Sequence, residues 1–287
     1  MESIKSDSKI AILMATYNGD EYLSQQIDSI LSQTYQQWHL FVHDDGSADR
    51  TVSILNDYVK KYPKKITIID YPPQGGALQN FMSLLEYVES EYYMFSDQDD
   101  IWIKEKISME MERMSYEEQH HPNTPIIVFS DLFVVDTNLC IISNSFMSYS
   151  GIYPEYLTTF ESLAASNLTT GCTMLFNHNT KKTVKYPFTV ATMHDAWITL
   201  CAIKAHGILN YISKPLVFYR QHNNNTLGAS NIKRLTTLYR LQHLKQIIQQ
   251  NQKTYRMMSF MGYGTWFKFL YHKIKYKCFI LRKQLKK

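Results

Sequence analysis

Two short acidic clusters carry the sharpest chemical signal in this 287-residue chain. Asp97-Gln98-Asp99-Asp100 follows the apolar run Tyr92-Tyr93-Met94-Phe95, so its carboxylates stand in a turn directly after a strand. Two carboxylates two residues apart can present oxygens to one hard cation. Mg²⁺ or Mn²⁺ takes few protein carboxylates and completes its shell with water and phosphate oxygens. The same turn also reads as a solvated acidic cap on the helix that begins near Lys104. Asp44-Asp45-Gly46-Ser47, after Leu40-Phe41-Val42, has its own pair of readings. One is a strand-to-helix turn with Ser47 as N-cap; the other is a carboxylate that accepts from a base N–H or a ribose hydroxyl. Farther on, Asp195 follows His194 at a helix start, where N-capping competes with proton abstraction, and His222 is either a structural histidine or a ligand.

The elements that must position these groups alternate through the first hundred residues. Ile10 to Ala15 is a short apolar run suited to a strand buried on both faces. Leu23, Ile27, Ile30 and Leu31 then recur at helical spacing. Leu40 to Val42 is a second strand, followed by a helical stretch with Val52, Leu55 and Val59 on one side. Ile66 to Ile69 is a third strand, Leu78, Phe81, Met82 and Leu85 mark a third helix, and Tyr92 to Phe95 is a fourth strand. Strands separated by helices predict an α/β fold with a mostly parallel sheet. In such sheets ligands collect beyond the carboxyl ends of the strands. Here those ends carry Thr16-Tyr17-Asn18, Asp44-Asp45 and Asp97/Asp99/Asp100. Five carboxylates at one edge repel one another unless positive charge sits among them. No G-x-G-x-x-G follows the first strand and no G-x-x-x-x-G-K-[ST] occurs, which weakens a dinucleotide reading and removes a P-loop NTPase.

The middle, about 122 to 230, is less regular. Ile126 to Val135 and Thr170 to Phe176 read as strands, His194 to Ala205 as a helix, and Leu216 to His222 as a strand ending in polar residues. Tyr149, Tyr153, Tyr156 and His120-His121 read as loop and surface packing. From Lys233 the pattern predicts helices, Leu235 to Gln249 and then Trp266 to Leu285.

Composition bounds the remaining classes. With 45% hydrophobic and 14% aromatic residues the chain has ample core material, which excludes disorder for most of its length. Its four cysteines are scattered without a C-x-x-C pair, so a disulfide framework or zinc module is not expected and a reducing cytoplasm fits. No apolar run reaches the ~18 residues of a spanning helix, and the polar start is no secretory signal. The net charge of +4 conceals a strong asymmetry. Residues 231–287 hold fourteen of the 30 Lys and Arg and no Asp or Glu, leaving sixteen basic against all 26 acidic side chains in the preceding 230. A basic tail on an acidic body predicts contact with an anionic membrane face, or packing on the body itself. Nucleic acid is not expected, since no recognition motif is present and the body would repel the strand. On the last helix, Trp266, Phe269, Leu270, Lys273, Ile274 and Lys277 are expected to share one side.

Ala15-Thr16-Tyr17-Asn18-Gly19, Asp44 through Thr51, and Asp97-Gln98-Asp99-Asp100-Ile101-Trp102 together resemble family 2 glycosyltransferases of the GT-A fold. Ser29 through Tyr35 matches the family's first helix and its exit. The resemblance spans about residues 8 to 110 and continues more loosely to about 225. It is nearest to rhamnosyltransferase-type enzymes of bacterial surface polysaccharides, through Ser96–Asp100, Thr170–Thr173, His194–Trp197 and Tyr219–His222. It implies a catalytic unit over 1–230, with a nucleotide-sugar half to about 110 and an acceptor half from 111, and a helical extension over 231–287. It further implies a donor-binding set of Thr16, Asn18, Asp45, Asp97 and Arg220, with Thr16 and Asp45 at the nucleobase and Asp97 near the ribose or sugar. Asp99 and His222 would hold Mn²⁺ or Mg²⁺ on the diphosphate, and Asp195 would be the base of an inverting transfer. The implied partners are a UDP- or dTDP-linked sugar and a glycan or undecaprenyl-linked acceptor, at the inner face of the cell membrane. Gln74 through Phe81, facing the diphosphate, has no cationic side chain, so the cation, Arg220 and backbone N–H groups are left to neutralise the leaving group.

Two rival classes follow from the same residues. A non-catalytic subunit that keeps the fold and docks a membrane complex has no physical need for this carboxylate set. A phosphatase or nucleotidyltransferase using Asp97 and Asp99 is the other; a phosphatase of the aspartyl-nucleophile kind would want Asp-x-Asp-x-Thr/Val, and position 101 is Ile.

Overall fold

The computed structural model describes residues 4–6, 8–222, 228–229 and 243–285. A central sheet begins with β2 (Ile10–Thr16), β3 (Trp38–Asp44), β4 (Ile66–Ile68) and β6 (Tyr92–Ser96), after a small pair formed by β1 (Ile4–Lys5) and β5 (Val88–Glu89). It continues through β7 (Ile101–Trp102), β8 (Ile126–Val135), β9 (Ile141–Ser143), β10 (Met174–Asn177) and β11 (Ile208–Arg220). The spatial order is β4-β3-β2-β6-β10-β8-β11-β7, with β9 on β8. The first four strands are parallel, as their intervening helices require, and β10 then turns antiparallel between β6 and β8.

The period-two pattern of the strands divides the core into two layers. Ala11 and Leu13 of β2 face one helical layer with Tyr93, Phe95, Ile127 and Phe129. Ile10, Ile12 and Met14 face the other with Met94, Ile126 and Val128. The second layer is covered by α1 (Leu23–Leu31), α2 (Thr51–Lys61) and α4 (Lys106–His120). The first is covered by α3 (Ala77–Tyr87), α8 (His194–Lys204) and the two last helices, α9 (Leu244–Phe260) and α10 (Trp266–Leu285). Short helices α5 (Phe146–Ser150), α6 (Phe160–Leu163) and α7 (His178–Thr183) punctuate the middle segment. This is the α/β architecture expected, with a sheet buried on both faces and a helical C-terminal region.

Three local expectations change, and a fourth lies partly outside the described residues. Val52 is exposed on α2, and the helix is instead seated by Thr51 and Leu55. Gly171–Thr173 forms a 3₁₀ turn before β10, not the start of a strand. The helix expected over Leu235 to Gln249 lies partly outside the described residues; α9 begins at Leu244. On α10 the inward face holds Phe269 and Tyr276, with Trp266, Leu270, Phe279 and Ile280 partly buried, whereas Ile274 and Lys277 point outward. Tyr153 and Tyr156 decide that rotation: both rings pack on Tyr276 or Phe279, and the Tyr276 hydroxyl accepts from Tyr153 N (2.9 Å). Lys283–Glu155 (3.2 Å) and Lys268–Glu161 (3.5 Å) add exposed ion pairs between tail and body.

Candidate active site

The carboxyl ends of β2, β3 and β6, the start of α8 and the residues after β11 surround one cavity of about 900 Å³. Thr16, Asn18, Asp45, Asp97, Asp99, Asp195 and His222 all line it. Thus carboxylates from three distant segments, separated by up to 150 positions in sequence, meet in a single space.

The first acidic turn is closed by hydrogen bonds. Asp44 Oδ1 accepts from Gly46 N (3.2 Å) and Ser47 N (2.8 Å), and its Oδ2 accepts from the hydroxyls of Ser47 (2.6 Å) and Thr16 (2.8 Å). Asp44 therefore builds the turn and is not on the cavity wall. Gly46 lies at φ 88°, a conformation that a side chain would strain. Asp45 N donates to Thr16 O (2.8 Å), which aims the Asp45 carboxylate across to the segment before α3. There it accepts from Gln74 N (2.5 Å), Gly75 N (3.1 Å) and Gly76 N (2.8 Å). The backbone N–H groups expected to help neutralise a leaving group are thus held by Asp45. Asn18 joins the same network, its N–H on Ser47 Oγ and its Oδ1 on Ala48 N, both 2.8 Å.

Gln98 connects this turn to the second one. Its amide pairs with both polar groups of Tyr17, accepting from Tyr17 N and donating to Tyr17 O at 2.9 Å each. Gly19 is what lets it approach, because a Cβ there would lie 2.3 Å from Gln98 Oε1.

The second turn, buried at Asp100 and partly exposed before it, is less well compensated. Burial, then the charges of Asp99 and Asp195, push the Asp97 carboxyl up to about 7. Asp100 is fully buried and raised well above the usual carboxylate range by desolvation first and by Asp99 and Asp97 next. Its Oδ1 accepts from Arg220 N (3.2 Å), whereas Oδ2 has no partner among the described residues. Asp100 sits behind the cavity, so the five expected carboxylates resolve into two structural ones, Asp44 and Asp100, and three on the wall. Asp99 Oδ2 meets His222 Nε2 at 2.7 Å, and the His222 ring lies 5.3 Å from that of Tyr22. This meeting depends on β7 pairing with β11, Val217 opposite Trp102, which fixes the end of one chain segment beside the other.

Arg220, expected at the donor, is not among the described residues that line the cavity. It is 2% exposed, and its guanidinium donates to Asp99 O (2.9 Å), Thr137 O (2.6 Å) and Gln25 Oε1 (2.6 Å) while lying 4.4 Å over the Tyr22 ring. A buried guanidinium needs acceptors for its rigid fork of N–H groups, and here the backbone of the acidic turn supplies one. Arg220 braces Asp99 from behind.

Asp195 is buried at the second position of α8; the N-cap is Met193, so simple N-capping is not its role. Burial pushes its carboxyl up to about 6, against the opposing pull of Ala196 N, Asn167 and Gly171 N. Ala196 N donates to its Oδ1 at 2.5 Å. A carboxyl poised near neutral pH in a cavity wall is suited to taking a proton from a hydroxyl. Tyr22, Asn80, Phe81, Gln98 and His194 also reach the cavity. The position of Gln98 between motif aspartates was a usable signal; nothing in the local pattern marked Tyr22 or Asn80.

The donor set fits a hard divalent cation. Asp97 and Asp99 offer oxygens and His222 a ring nitrogen on one wall, and the raised Asp97 carboxyl reports uncompensated negative charge there. Asp97, Asp100 and Cys172 also bring ligand atoms within 4.8 Å of one another. That second trio suits an oxygen-seeking ion poorly. Burial holds the Cys172 thiol far above its usual pKa, so it stays protonated, and Asp100 does not line the cavity.

A family model described as glycosyl transferase family 2 matches residues 11–132. The dTDP-rhamnosyl transferase RfbG of Shigella flexneri is 31% identical over 229 residues, covering 76% of this chain and 74% of that one. The UDP-Glc:alpha-D-GlcNAc-diphosphoundecaprenol beta-1,3-glucosyltransferase WfgD of Escherichia coli is 26% identical over 195 residues, or 68% of this chain and 70% of its own. Among solved structures, S. aureus TarS 1-349 in complex with UDP-GlcNAc superposes with TM-score 0.56 at 19% identity, covering 76% of this chain and 60% of TarS 1-349. Mannosyltransferase PcManGT from Pyrobaculum calidifontis, in complex with GDP-Man and Mn2+, superposes with TM-score 0.54 at 15% identity over 94% of this chain and 73% of its own. At such identities the structural likeness speaks for the GT-A-type fold alone.

Proposed function

The chain belongs to glycosyl transferase family 2, and from that premise we propose that it moves a sugar, with inversion, from a UDP- or dTDP-linked donor to a growing bacterial surface glycan. The observation that carries this reading is the meeting of Asp45, Asp97, Asp99 and Asp195 on one cavity wall. The transfer forms a bond from an acceptor hydroxyl oxygen to the anomeric carbon and breaks the bond from that carbon to the diphosphate. The hydroxyl proton passes to the Asp195 carboxylate, and the nucleoside diphosphate leaves with the bonding pair. Attack from the face opposite the leaving group inverts the anomeric centre. Asp195 must be ionised to accept, and its raised affinity for protons makes it a competent base near pH 7.

Asp45, Thr16 and Asn18 form the nucleoside end in this reading, with Asp97 nearer the ribose or sugar. Asp99 and His222, with Asp97 beside them, would hold Mn²⁺ or Mg²⁺, which when bound supplies charge stabilisation to the departing diphosphate. The remaining work of Arg220 is to keep the Asp99 backbone in place. A thermal-melting series tests the scheme. UDP or dTDP should raise the melting temperature only with Mn²⁺ or Mg²⁺ present, and absence of any shift across nucleoside diphosphates would reject it.

We further propose that 1–230 is the catalytic unit and 231–287 an extension against the inner face of the membrane, where a lipid-linked (undecaprenyl-type) acceptor resides. WfgD is named for a diphosphoundecaprenol-linked acceptor of this kind. No helix among the described residues is long and apolar enough to cross a membrane. Support comes from the outward face of α10, where Phe267 (81% exposed), Tyr271 (59%), Ile274 (63%), Cys278 and Leu281 follow one helical stripe. Lys268, Lys275 and Arg282 border it on one side and Lys277 on the other. Apolar side chains edged by cations suit an anionic headgroup layer. The wild type should sediment with phosphatidylglycerol vesicles and not with phosphatidylcholine. Phe267→Glu with Ile274→Glu should stay in the supernatant, and equal pelleting of both proteins would exclude this face.

A further inference from the structure

The imidazole of His194 belongs to the cavity wall and is 5% exposed, yet neither Nδ1 nor Nε2 meets a hydrogen-bond partner among the described residues. Its ring is held by Phe81 (centroids 4.3 Å) and Phe95 (4.7 Å). In this apolar setting the ring stays neutral, its pKa pushed down to about 3 by burial. Residue 171 also makes room for it: a Cβ on Gly171 would stand 2.4 Å from Nε2. A buried polar ring with both nitrogens unmatched is unfavourable for folding alone, and aromatic residues of the same shape would pack there without that cost. The position is therefore shaped around something that enters the cavity.

We infer that His194 is a specificity-determining residue, whose neutral imidazole recognises a hydroxyl of the donor's sugar ring. The chemistry selects that partner. A neutral imidazole nitrogen, N–H donor or bare acceptor according to the tautomer, matches a hydroxyl, which both donates and accepts; a phosphate oxygen calls for positive charge, and a ring this desolvated supplies none. Placement selects it again. Asp195, the next residue, must lie within ~3 Å of the attacking hydroxyl, so the anomeric carbon and its ring neighbours come to the same wall. The assignment rests on the cavity being a nucleotide-sugar site.

His194→Phe separates recognition from structure. Between Phe81 and Phe95 the new ring should leave the unliganded melting temperature equal or higher. Calorimetry with Mn²⁺ should find UDP or dTDP bound within twofold of wild type. With UDP-glucose and dTDP-rhamnose as probes, kcat/KM for whichever the wild type uses should fall at least tenfold, about 1.4 kcal/mol. His194→Gln, which retains a donor and an acceptor, should restore part of that loss and shift the relative use of the two sugars. Unchanged kcat/KM in His194→Phe, or equal weakening of nucleoside diphosphate and nucleotide sugar, would overturn the assignment. If His194→Phe fails to fold, an unaltered sugar preference in His194→Gln overturns it instead. A wild type that binds neither UDP nor dTDP defeats the site reading itself.

Discussion

Asp44-Asp45 and Asp97-Gln98-Asp99-Asp100 each leave a parallel strand at its carboxyl end, and both are built from the same side chains. In the first turn the oxygens are saturated: Asp44 by Thr16, Gly46 and Ser47, and Asp45 by three successive backbone N–H groups. In the second, Asp100 keeps an orphan oxygen and Asp97 holds its proton to about pH 7, because burial and mutual repulsion outweigh the available hydrogen bonds. Saturated carboxylates make a rigid frame that is complete before a ligand arrives. Unsaturated ones resist ionisation until positive charge arrives, so a cation entering there would be exchanged for their protons.

The largest test of this contrast is functional. Asp195→Asn should lower kcat by about 10²–10⁴, the usual worth of a positioned base, while calorimetry still finds the donor bound. Asp99→Asn should lose donor and cation affinity together, and equal loss of binding in both variants would erase the division between them. Next comes pH. A carboxyl whose pKa is raised on folding binds more protons in the native state than in the unfolded one, so the contribution of Asp97 and Asp195 to stability is greatest below about pH 4 and declines as pH rises through 6 to 7. The shift at Asp195, from 3.8 to about 6, is on the order of 2–3 kcal/mol. Urea titrations of the metal-free protein at pH 5 and 8 should show that decline, and Asp97→Asn should flatten it; a rise in these two groups' contribution would contradict their burial. Transfer should run the other way, with kcat falling as pH drops through about 6.

On the saturated side, Asp45→Ala should destabilise the unliganded chain by roughly 2 kcal/mol, since three N–H groups lose a charged acceptor, with little change in the Mn²⁺-induced melting shift. If Asp45→Ala abolishes that shift, the two turns are not separable. The smallest effect is expected at their junction. Gln98→Ala should cost about 1 kcal/mol and raise the donor KM a few-fold, read by steady-state kinetics.

How much of this was legible beforehand follows from the range of the forces involved. Ile10 to Ala15, Tyr92 to Phe95 and the Leu23/Ile27/Ile30 stripe announce their elements because burial periodicity is a local property of the chain. The acidic turns were found for the same reason, since each is contiguous and follows a strand. The surroundings of Arg220 are not legible in the sequence, because Gln25, Asp99 and Thr137 come from three remote segments and only the folded chain brings their acceptors to its guanidinium. The rotation of α10 was likewise set by Tyr153 and Tyr156, over a hundred residues away, not by the helix's own imperfect amphipathicity. His194 read in sequence only as the neighbour of Asp195; its two unmatched nitrogens exist only because Phe81 and Phe95 close over it.

The sequence by itself thus determined the strand–helix alternation, the edge where the carboxylates gather and the charge contrast between body and tail, because each is written in spacing or sum. Tertiary structure decided which of those carboxylates are saturated by hydrogen bonds and which are left short of partners. Hydrogen-bond satisfaction and desolvation belong to the pairing of distant segments, and no single segment contains them.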